Sequence, residues 1–302
     1  MSDGIKVVDS DKVYTTLITS LSYLPGLLAL HYSLIHRAKS RYPLLVLYTD
    51  AFPPSGVEVL RRRGIPYQLI TPLSPSTSTP PSYSHDPRFR ECFTKLFPFS
   101  LVQYRRVIQL DSDMLILRNI DELFDIPLDS EKRVFAAGHA CLCNPCGFEH
   151  YPKYFRPENC YYTNQDGIGK DLLNGGLQVV RPDLRLYRQI LEYMDKPGID
   201  LSFADQSVLA GCFRGRWVPI GWEFNALKTM RWSGVHDDVW DDDKVRNVHY
   251  ILTPKPWEEE VDEKGRVVGS ERAEDTVTSQ WWVDVDRERR EWEEGRGVRD
   301  GW

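Results

Sequence analysis

The chain has 302 residues, which is enough to bury a full hydrophobic core in one large domain, with or without an appended segment. Its formal net charge of -6 argues against a general nucleic-acid-binding protein. No apolar run approaches the roughly 18 residues that a membrane span needs, and residues 1–11 lack the apolar core of a secretory signal. We therefore expect a cytoplasmic protein without a membrane partner.

The first quarter of the chain alternates between predicted strands and predicted helices. Apolar, β-branched runs predict strands at residues 13–19, 44–49 and 67–71, and helical periodicity lies between them at residues 24–37 and 57–63. This alternation predicts an α/β protein with a doubly wound, mostly parallel sheet. In such sheets, ligands bind beyond the carboxyl ends of the strands.

A buried strand at residues 107–110 runs directly into Asp111, Ser112 and Asp113, and a second apolar run follows. Unpaired carboxylates between two buried strands would be very costly. A divalent cation at the end of the strand is the simplest group that would neutralise them. The alternative is a polar turn between two strands.

The second half of the chain combines further predicted elements with irregular segments. Residues 71–86 are rich in Pro, Ser and Thr, a composition that predicts a flexible loop. Residues 138–170 are irregular in pattern, and we expect a loop there that is too long to be a plain connector. Further elements are predicted at residues 88–101 (helix), 174–180 (strand), 182–194 (helix) and 203–213 (helix). From residue 258 the chain is charged and predicts a helix.

Five short pieces, in this order and spacing, resemble glycosyltransferase family 8, which includes glycogenin and plant galactinol synthase. They are Asp111-Ser112-Asp113, Asn174-Gly175-Gly176, Asp205-Gln206, Trp222 followed by Asn225, and His249 followed by Lys255-Pro256-Trp257. The similarity runs from about Tyr14 to Trp257. It implies a GT-A fold, a Rossmann-like mixed and mostly parallel sheet flanked by helices, over residues 1–257. Residues 258–302 would form a charged, helical extension.

The resemblance implies that Asp111, Asp113 and His249 hold Mn²⁺, with Mg²⁺ as the alternative cation. The metal would bridge the diphosphate of a UDP-sugar. Two hard carboxylates and one imidazole suit Mn²⁺ better than Ca²⁺. A packed core histidine is the alternative for His249.

The resemblance also implies a donor pocket. Lys255 would contact the diphosphate, and Ser112 would bind the donor beside it. Lys95 would lie near the phosphates and the donor sugar, with a helix surface charge as the alternative. The candidates for the nucleotide are Leu17, Thr19 and Tyr23, whose ring would stack on uracil.

The donor sugar would be held by Asn174, Asp205 and Gln206, while Gly175 and Gly176 would let the backbone approach it. The alternatives are a plain turn for Asn-Gly-Gly and a helix start for Asp-Gln. Lys95, Asp205 and Gln206 are the candidate catalytic residues.

The implied activity is a retaining, Mn²⁺-dependent transfer of glucose or galactose from a UDP-sugar to a small-molecule or glycan acceptor. No carboxylate is an obvious nucleophile, so front-face attack is favoured over a covalent route through Asp205. The rival hypotheses are a catalytically weak scaffold that binds UDP-sugars, and a nucleotidyltransferase or sugar-nucleotide hydrolase on a similar sheet.

The sequence departs from the family pattern at three positions. Leu252 stands where a glycine usually lies near the phosphates. Trp232 lies near the position of the tyrosine that glycogenin glucosylates on itself, and Ser202 stands where glycogenin has a second acidic residue. Four cysteines, at Cys141, Cys143, Cys146 and Cys160, form a loop like that of galactinol synthase. They could bind structural zinc, although the spacing is only near the usual one, or they could pack the loop as reduced thiols.

Overall fold

The computed structural model describes residues 6–76, 89–270 and 272–302. Ten strands are formed within these residues, and the apolar, β-branched runs supply most of the longer ones. They are β1 (Lys12–Ile18), β2 (Leu44–Tyr48), β3 (Tyr67–Leu69), β4 (Arg106–Leu110), β5 (Met114–Ile116), β6 (Phe135–His139), β7 (Leu173–Val180), β8 (Val218–Pro219), β9 (Ala226–Leu227) and β10 (Asn247–His249).

Six α-helices flank these strands within the described residues. They are α1 (Leu24–Tyr32), α2 (Pro54–Arg62), α3 (Phe89–Cys92), α4 (Leu184–Met194), α5 (Asp205–Cys212) and α6 (Thr276–Glu294). Helix α1 has Pro25 in its first turn, where a missing amide hydrogen is tolerated, and it continues into a π-helical turn at Ser33–Arg37. None of the described helices combines the length and the apolar character needed to cross a lipid bilayer.

The main sheet has seven strands in the order β3-β2-β1-β4-β7-β6-β8. Strands β3, β2, β1 and β4 are parallel to one another, whereas β7 is antiparallel to both β4 and β6. The predicted mixed, mostly parallel α/β sheet is therefore confirmed. A smaller sheet in the order β5-β10-β9 adjoins it.

This topology brings three chain segments to one edge of the main sheet. Because β1 and β4 are parallel, their carboxyl ends, Ile18 and Leu110, lie at the same edge. Strand β7 is antiparallel to β4 and begins there, so that the Asp111 amide donates to the Gly176 carbonyl at 2.8 Å. The Asp-Ser-Asp and Asn-Gly-Gly segments are therefore neighbours.

The C-terminal helix packs on the rest of the molecule. Trp282 and Val285 of α6 are buried in an apolar cluster with Ala29 of α1, Val248 of β10 and Tyr250. The Tyr250 hydroxyl donates to the Thr278 carbonyl at 2.7 Å. Residues after 257 thus supply part of the core beneath β10.

One predicted element differs from the observed structure, and one lies partly outside the described residues. The predicted helix at residues 88–101 is a single α-helical turn, α3, followed by a 3₁₀ stretch at Phe93–Ser100. Pro98 within that stretch has no amide hydrogen to donate, which disfavours a continuous α-helix. Of the predicted loop at residues 71–86, residues 71–76 have no regular structure, and residues 77–86 lie outside the described residues.

Candidate active site

Two carboxylates and one imidazole converge where β4 meets the smaller sheet. Asp111 and Asp113 follow β4, and His249 ends β10. The His249 Nε2 atom lies 3.6 Å from Asp111 Oδ2 and 3.4 Å from Asp113 Oδ1. One ligand atom from each residue lies within 4.8 Å of the other two. The polar-turn alternative does not account for an imidazole between the two carboxylates.

The hydrogen bonds behind His249 determine which of its ring nitrogens carries the proton. The Gly176 amide donates to Asn174 Oδ1 at 3.0 Å, so that oxygen is an acceptor. The Asn225 side-chain atom that lies 2.9 Å from Asn174 Oδ1 must be a donor, and it is therefore the amide nitrogen Nδ2. The other atom of that amide, Asn225 Oδ1, then faces His249 Nδ1 at 3.0 Å. His249 Nδ1 therefore donates to Asn225, and Nε2 is the ring nitrogen that faces the two carboxylates.

A cation fits this donor set. Two carboxylates and the Nε2 atom of an imidazole present three ligand atoms within 4.8 Å of one another, and a divalent cation between them would neutralise the two negative charges. An imidazole whose other nitrogen is anchored by an oxygen is the usual arrangement for a metal ligand. Asp111, Asp113 and His249 thus have both the chemistry and the orientation to hold a divalent ion such as Mn²⁺.

The same network reaches the candidate sugar-binding residues. Asn174 Nδ2 donates to Gln206 Oε1 at 3.1 Å, and the Gly175 amide donates to the same oxygen at 2.9 Å. Gln206 and Asn174 are thereby held beside each other, with Asn225 joining them to His249. Asn225 belongs to the family pattern in the sequence, but it was not among the predicted site residues.

Two buried lysines flank the carboxylates. Lys255 Nζ lies 2.6 Å from Asp113 Oδ2, and Lys95 Nζ lies 3.2 Å from Asp111 Oδ2. Only 9% of Lys95 is exposed, so the helix-surface alternative for this residue is wrong. Burial alone would raise the pKa of Asp113, but Lys255 and His249 hold that pKa well below its usual range.

Asp205, at the start of α5, is almost completely buried. Its Oδ1 atom lies 3.4 Å from Lys95 Nζ, and its Oδ2 atom accepts from Gln178 Nε2 at 3.2 Å. Burial raises the pKa of Asp205 to about 7, against the opposing effect of the Lys95 ammonium. Lys95 therefore connects Asp205 to Asp111, one of the candidate metal ligands.

Gly175 and Gly176 of β7 leave space for neighbouring protein side chains, and not for a ligand in the cavity, to approach the backbone. A Cβ atom on Gly175 would lie 2.2 Å from Asp205 Oδ2, and one on Gly176 would lie 2.3 Å from His249 Cε1. Neither glycine is among the residues that line the large cavity, whereas Asn174 is. Their close contacts set the positions of Asp205 and His249.

The predicted nucleotide residues belong to the same cavity lining as Asp113. Leu17, Thr19, Tyr23 and Ser112 all line the cavity. The Tyr23 ring packs edge-on against Trp257, with ring centroids 5.6 Å apart, and Lys255 Nζ lies 5.6 Å from the Tyr23 ring centroid. Trp257 is thus a structural neighbour of this pocket.

The cavity above these groups has a volume of about 1710 Å³. This exceeds the roughly 300–1,000 Å³ of a site for one small ligand. Its lining includes the metal-binding and nucleotide candidates. It also includes aromatic and cysteine side chains of the predicted long loop, namely Cys146, Phe148, Tyr151 and Phe155, together with Phe203.

The predicted cysteine set needs a correction. Cys141, Cys143 and Cys160 bring their sulfurs together, but Cys146 lies apart from them. The fourth group is His236, which the sequence analysis missed. No local spacing connects His236 with Cys160, because the two are 76 residues apart.

The structure resembles solved glycosyltransferases of the GT-A fold. The galactosyltransferase LgtC, solved in complex with donor and acceptor sugar analogues, superposes with a TM-score of 0.57 at 15% sequence identity, covering 92% of this chain and 95% of that chain. The WbbM bifunctional glycosyltransferase gives a TM-score of 0.58, and this chain spans 52% of its length. The GT-A fold is thereby confirmed.

Sequence comparison identifies the family. A family model described as glycosyl transferase family 8 matches residues 14–261. Galactinol synthase 1 of Solanum lycopersicum is 30% identical over 249 residues, covering 80% of this chain and 72% of that protein. Glycogenin of Neurospora crassa is 24% identical over 290 residues, covering 94% of this chain and 36% of that protein. The chain belongs to glycosyltransferase family 8 and is a glycosyltransferase of the glycogenin and galactinol synthase type.

Proposed function

We propose that this glycosyltransferase moves glucose or galactose from a UDP-sugar to a small-molecule or glycan acceptor, with retention of anomeric configuration and with Mn²⁺ as cofactor. One observation carries this proposal above the others. Asp111, Asp113 and an oriented His249 converge at the base of a large cavity, beside two buried lysines and an amide-lined pocket.

The charges of the site suit departure of a diphosphate. When bound by Asp111, Asp113 and His249, the divalent cation supplies a Lewis acid for the leaving group. Lys255 is buried and lies on the Asp113 side, where its ammonium would stabilise developing phosphate charge. Lys95 lies on the Asp111 side and would do the same from beneath the sugar.

The environment of Asp205 favours front-face attack. Both of its carboxylate oxygens already have partners, in Lys95 and Gln178, and the group is almost completely inaccessible. A covalent route would have to free this carboxylate from both. We therefore infer that Asp205 positions Lys95. The proton of the acceptor hydroxyl would be accepted by the leaving phosphate.

The remaining candidates have positions that suit a bound donor. Gln206 and Asn174 present amide groups to the cavity, where they would bind sugar hydroxyls. Tyr23 would stack on the base, with Leu17, Thr19 and Ser112 around it. The cavity volume of about 1710 Å³ leaves room for an acceptor beside the donor, and residues of the long loop belong to its lining.

A donor and acceptor panel tests the proposal. The purified chain is incubated with Mn²⁺ and UDP-glucose or UDP-galactose, alone and with inositol, glucose or glycogen, and release of UDP is measured. We expect Mn²⁺-dependent release that increases with one acceptor, and a product whose anomeric configuration by NMR is that of the donor. Binding of UDP without turnover of any donor would favour the scaffold hypothesis instead.

The variant Asp113→Asn tests the site assignment. It removes one metal-binding charge and should abolish Mn²⁺-dependent binding of UDP, measured by calorimetry, while the circular dichroism spectrum is unchanged. The exposed Asp50→Asn is the matched control and should bind UDP as the unmodified chain does. Equal UDP affinity in Asp113→Asn and Asp50→Asn would show that the metal is bound elsewhere.

A further inference from the structure

A second set of metal-binding side chains lies outside the proposed donor site. Cys141 and Cys143 follow β6, Cys160 comes from the loop before β7, and His236 comes from the segment after β9. One ligand atom from each of the four lies within 4.8 Å of all the others. We propose that these residues hold a structural Zn²⁺ ion.

The distances match a tetrahedral zinc site. His236 Nε2 lies 3.3 Å from the Sγ atoms of Cys141 and Cys143, and 3.6 Å from that of Cys160. Zinc–sulfur bonds of about 2.3 Å and zinc–nitrogen bonds of about 2.0 Å at tetrahedral angles place nitrogen and sulfur about 3.5 Å apart. The observed separations are those of ligands around one ion.

Hydrogen bonding among reduced thiols does not explain this arrangement. A ring nitrogen carries either one hydrogen or one lone pair, so His236 Nε2 can satisfy only one of three sulfurs. A cation at the centre would contact all four groups at once. A set of three thiolates and one imidazole is a common structural zinc site, and soft sulfur ligands favour zinc over Mn²⁺ or Mg²⁺.

The surroundings of the cluster suit a closed, structural site. The Leu142 amide donates to Cys160 Sγ at 3.4 Å, which stabilises negative charge on that sulfur. The Tyr162 ring packs edge-on against His236, with centroids 5.3 Å apart, and Leu142 is fully buried beside the cluster. Four protein ligands leave no coordination position for a substrate, as in structural rather than catalytic zinc sites.

The ion would stabilise the loop between β6 and β7. Residues 140–172 contain two short 3₁₀ turns and no strand or α-helix, and structureless loops of more than about 15 residues are uncommon unless they are functional. Zinc would join the two ends of residues 141–160 to the His236 segment. Residues between the ligands, including Cys146 and Phe148, line the cavity. If the proposed function is correct, zinc would therefore fix the acceptor side of the active site.

Metal analysis of the full chain tests this proposal. After purification and dialysis against a weak chelator, elemental analysis should find one zinc per chain. Asp113→Asn should retain it, because that variant changes only the other candidate metal site. X-ray absorption at the zinc edge should give about three sulfurs near 2.3 Å and one nitrogen near 2.0 Å.

Variants identify the ligands. Cys143→Ser and His236→Ala should each lose most of the zinc, whereas His236→Cys should retain it as a four-cysteine site. Cys146→Ser is the matched control from the same loop and should keep one zinc per chain.

Two results would overturn the proposal. One is a chain without zinc, even after reconstitution, whose six cysteines all react with a thiol reagent under native conditions. The other is equal zinc loss from Cys146→Ser and Cys143→Ser. Because the metal content is measured without any sugar donor, either result leaves the proposed transferase activity to be judged separately.

Discussion

The Nδ1 atom of His249 lies 3.0 Å from Oδ1 of Asn225, and this contact fixes both the orientation and the tautomer of the imidazole. Asn225 is itself fixed by Asn174, whose oxygen accepts from the Gly176 amide. A backbone donor thus determines, through two amide side chains, that Nδ1 of His249 donates to Asn225 and that Nε2 faces the carboxylates. Asn225 contacts none of the metal-binding carboxylates, so we regard it as a positioning residue.

Replacing Asn225 should weaken the metal site without removing a ligand. We expect Asn225→Ala to lower the affinity for Mn²⁺ by about 10- to 100-fold, the usual effect of losing a partner of a metal-binding histidine. Asn225→Asp keeps an oxygen opposite His249 Nδ1 and should retain more affinity than the alanine variant. Calorimetric titration with Mn²⁺ and UDP measures both. Equal affinity in the two variants would contradict the role assigned to that oxygen.

The main sheet could be predicted from the sequence because β1, β2, β4 and β7 are apolar runs of five to eight residues, and helices follow β1 and β2. The edge of the sheet that carries Asp111 followed from the same pattern, since parallel strands end on one side. The partners of Lys95 could not be predicted, because Asp111 and Asp205 approach it from different elements, β4 and α5. His236 was missed for the same reason, since its approach to the cysteines depends on tertiary packing alone. Sequence motifs thus located the candidate ligands, whereas the network that orients them required the folded structure.

An alanine at position 176 should displace His249. Its Cβ atom would lie 2.3 Å from His249 Cε1 and 2.9 Å from Met114 Cε, distances that only movement of those side chains can relieve. We expect Gly176→Ala to lower the free energy of unfolding by about 1–3 kcal/mol and to weaken Mn²⁺-dependent UDP binding at least tenfold, which is roughly 1.4 kcal/mol.

Gly138→Ala is the control for that variant. Gly138 lies in the adjacent strand β6 and faces the same network, because the nearest atom to its added Cβ would be Asn225 Nδ2, but at 3.4 Å this is an ordinary contact that requires no movement of Asn225. Its stability, measured by chemical denaturation, should equal or exceed that of the unmodified chain. Equal UDP binding by the two alanine variants would show that His249 is not constrained by Gly176.

Leu252 has the backbone conformation that a glycine would adopt more easily. Its φ angle is 64°, in the left-handed region where a side chain costs about 1–2 kcal/mol. Leu252→Gly should therefore leave the free energy of unfolding nearly unchanged, because relief of strain offsets the greater entropy of the unfolded chain. The neighbouring Ile251→Gly lacks that compensation and should be less stable by about 1 kcal/mol. Denaturant titration of both variants measures the difference, and the reverse order would contradict the strain.

The attachment of α6 depends on a fully buried ion pair. Lys228 Nζ lies 2.7 Å from Asp275 Oδ2, both side chains have no exposed surface, and Trp232 Nε1 donates to Asp275 Oδ1 at 2.8 Å. Asp275→Ala would leave the Lys228 ammonium buried without its counter-ion. We expect the free energy of unfolding to fall by about 3–5 kcal/mol.

The pH dependence of the Asp275→Ala variant provides a second measurement. Burial already lowers the pKa of Lys228, against the opposing effect of Asp275, and removing the carboxylate lowers the pKa further. The unfolded chain then binds more protons at Lys228 than the folded chain, so stability should rise with pH up to the unfolded lysine pKa of about 10.4. Glu58→Ala is the control because its pairs with Arg61 and Arg62 are exposed, and its stability should match that of the unmodified chain. If Asp275→Ala is as stable as Glu58→Ala and its stability does not rise with pH, α6 is held without this ion pair.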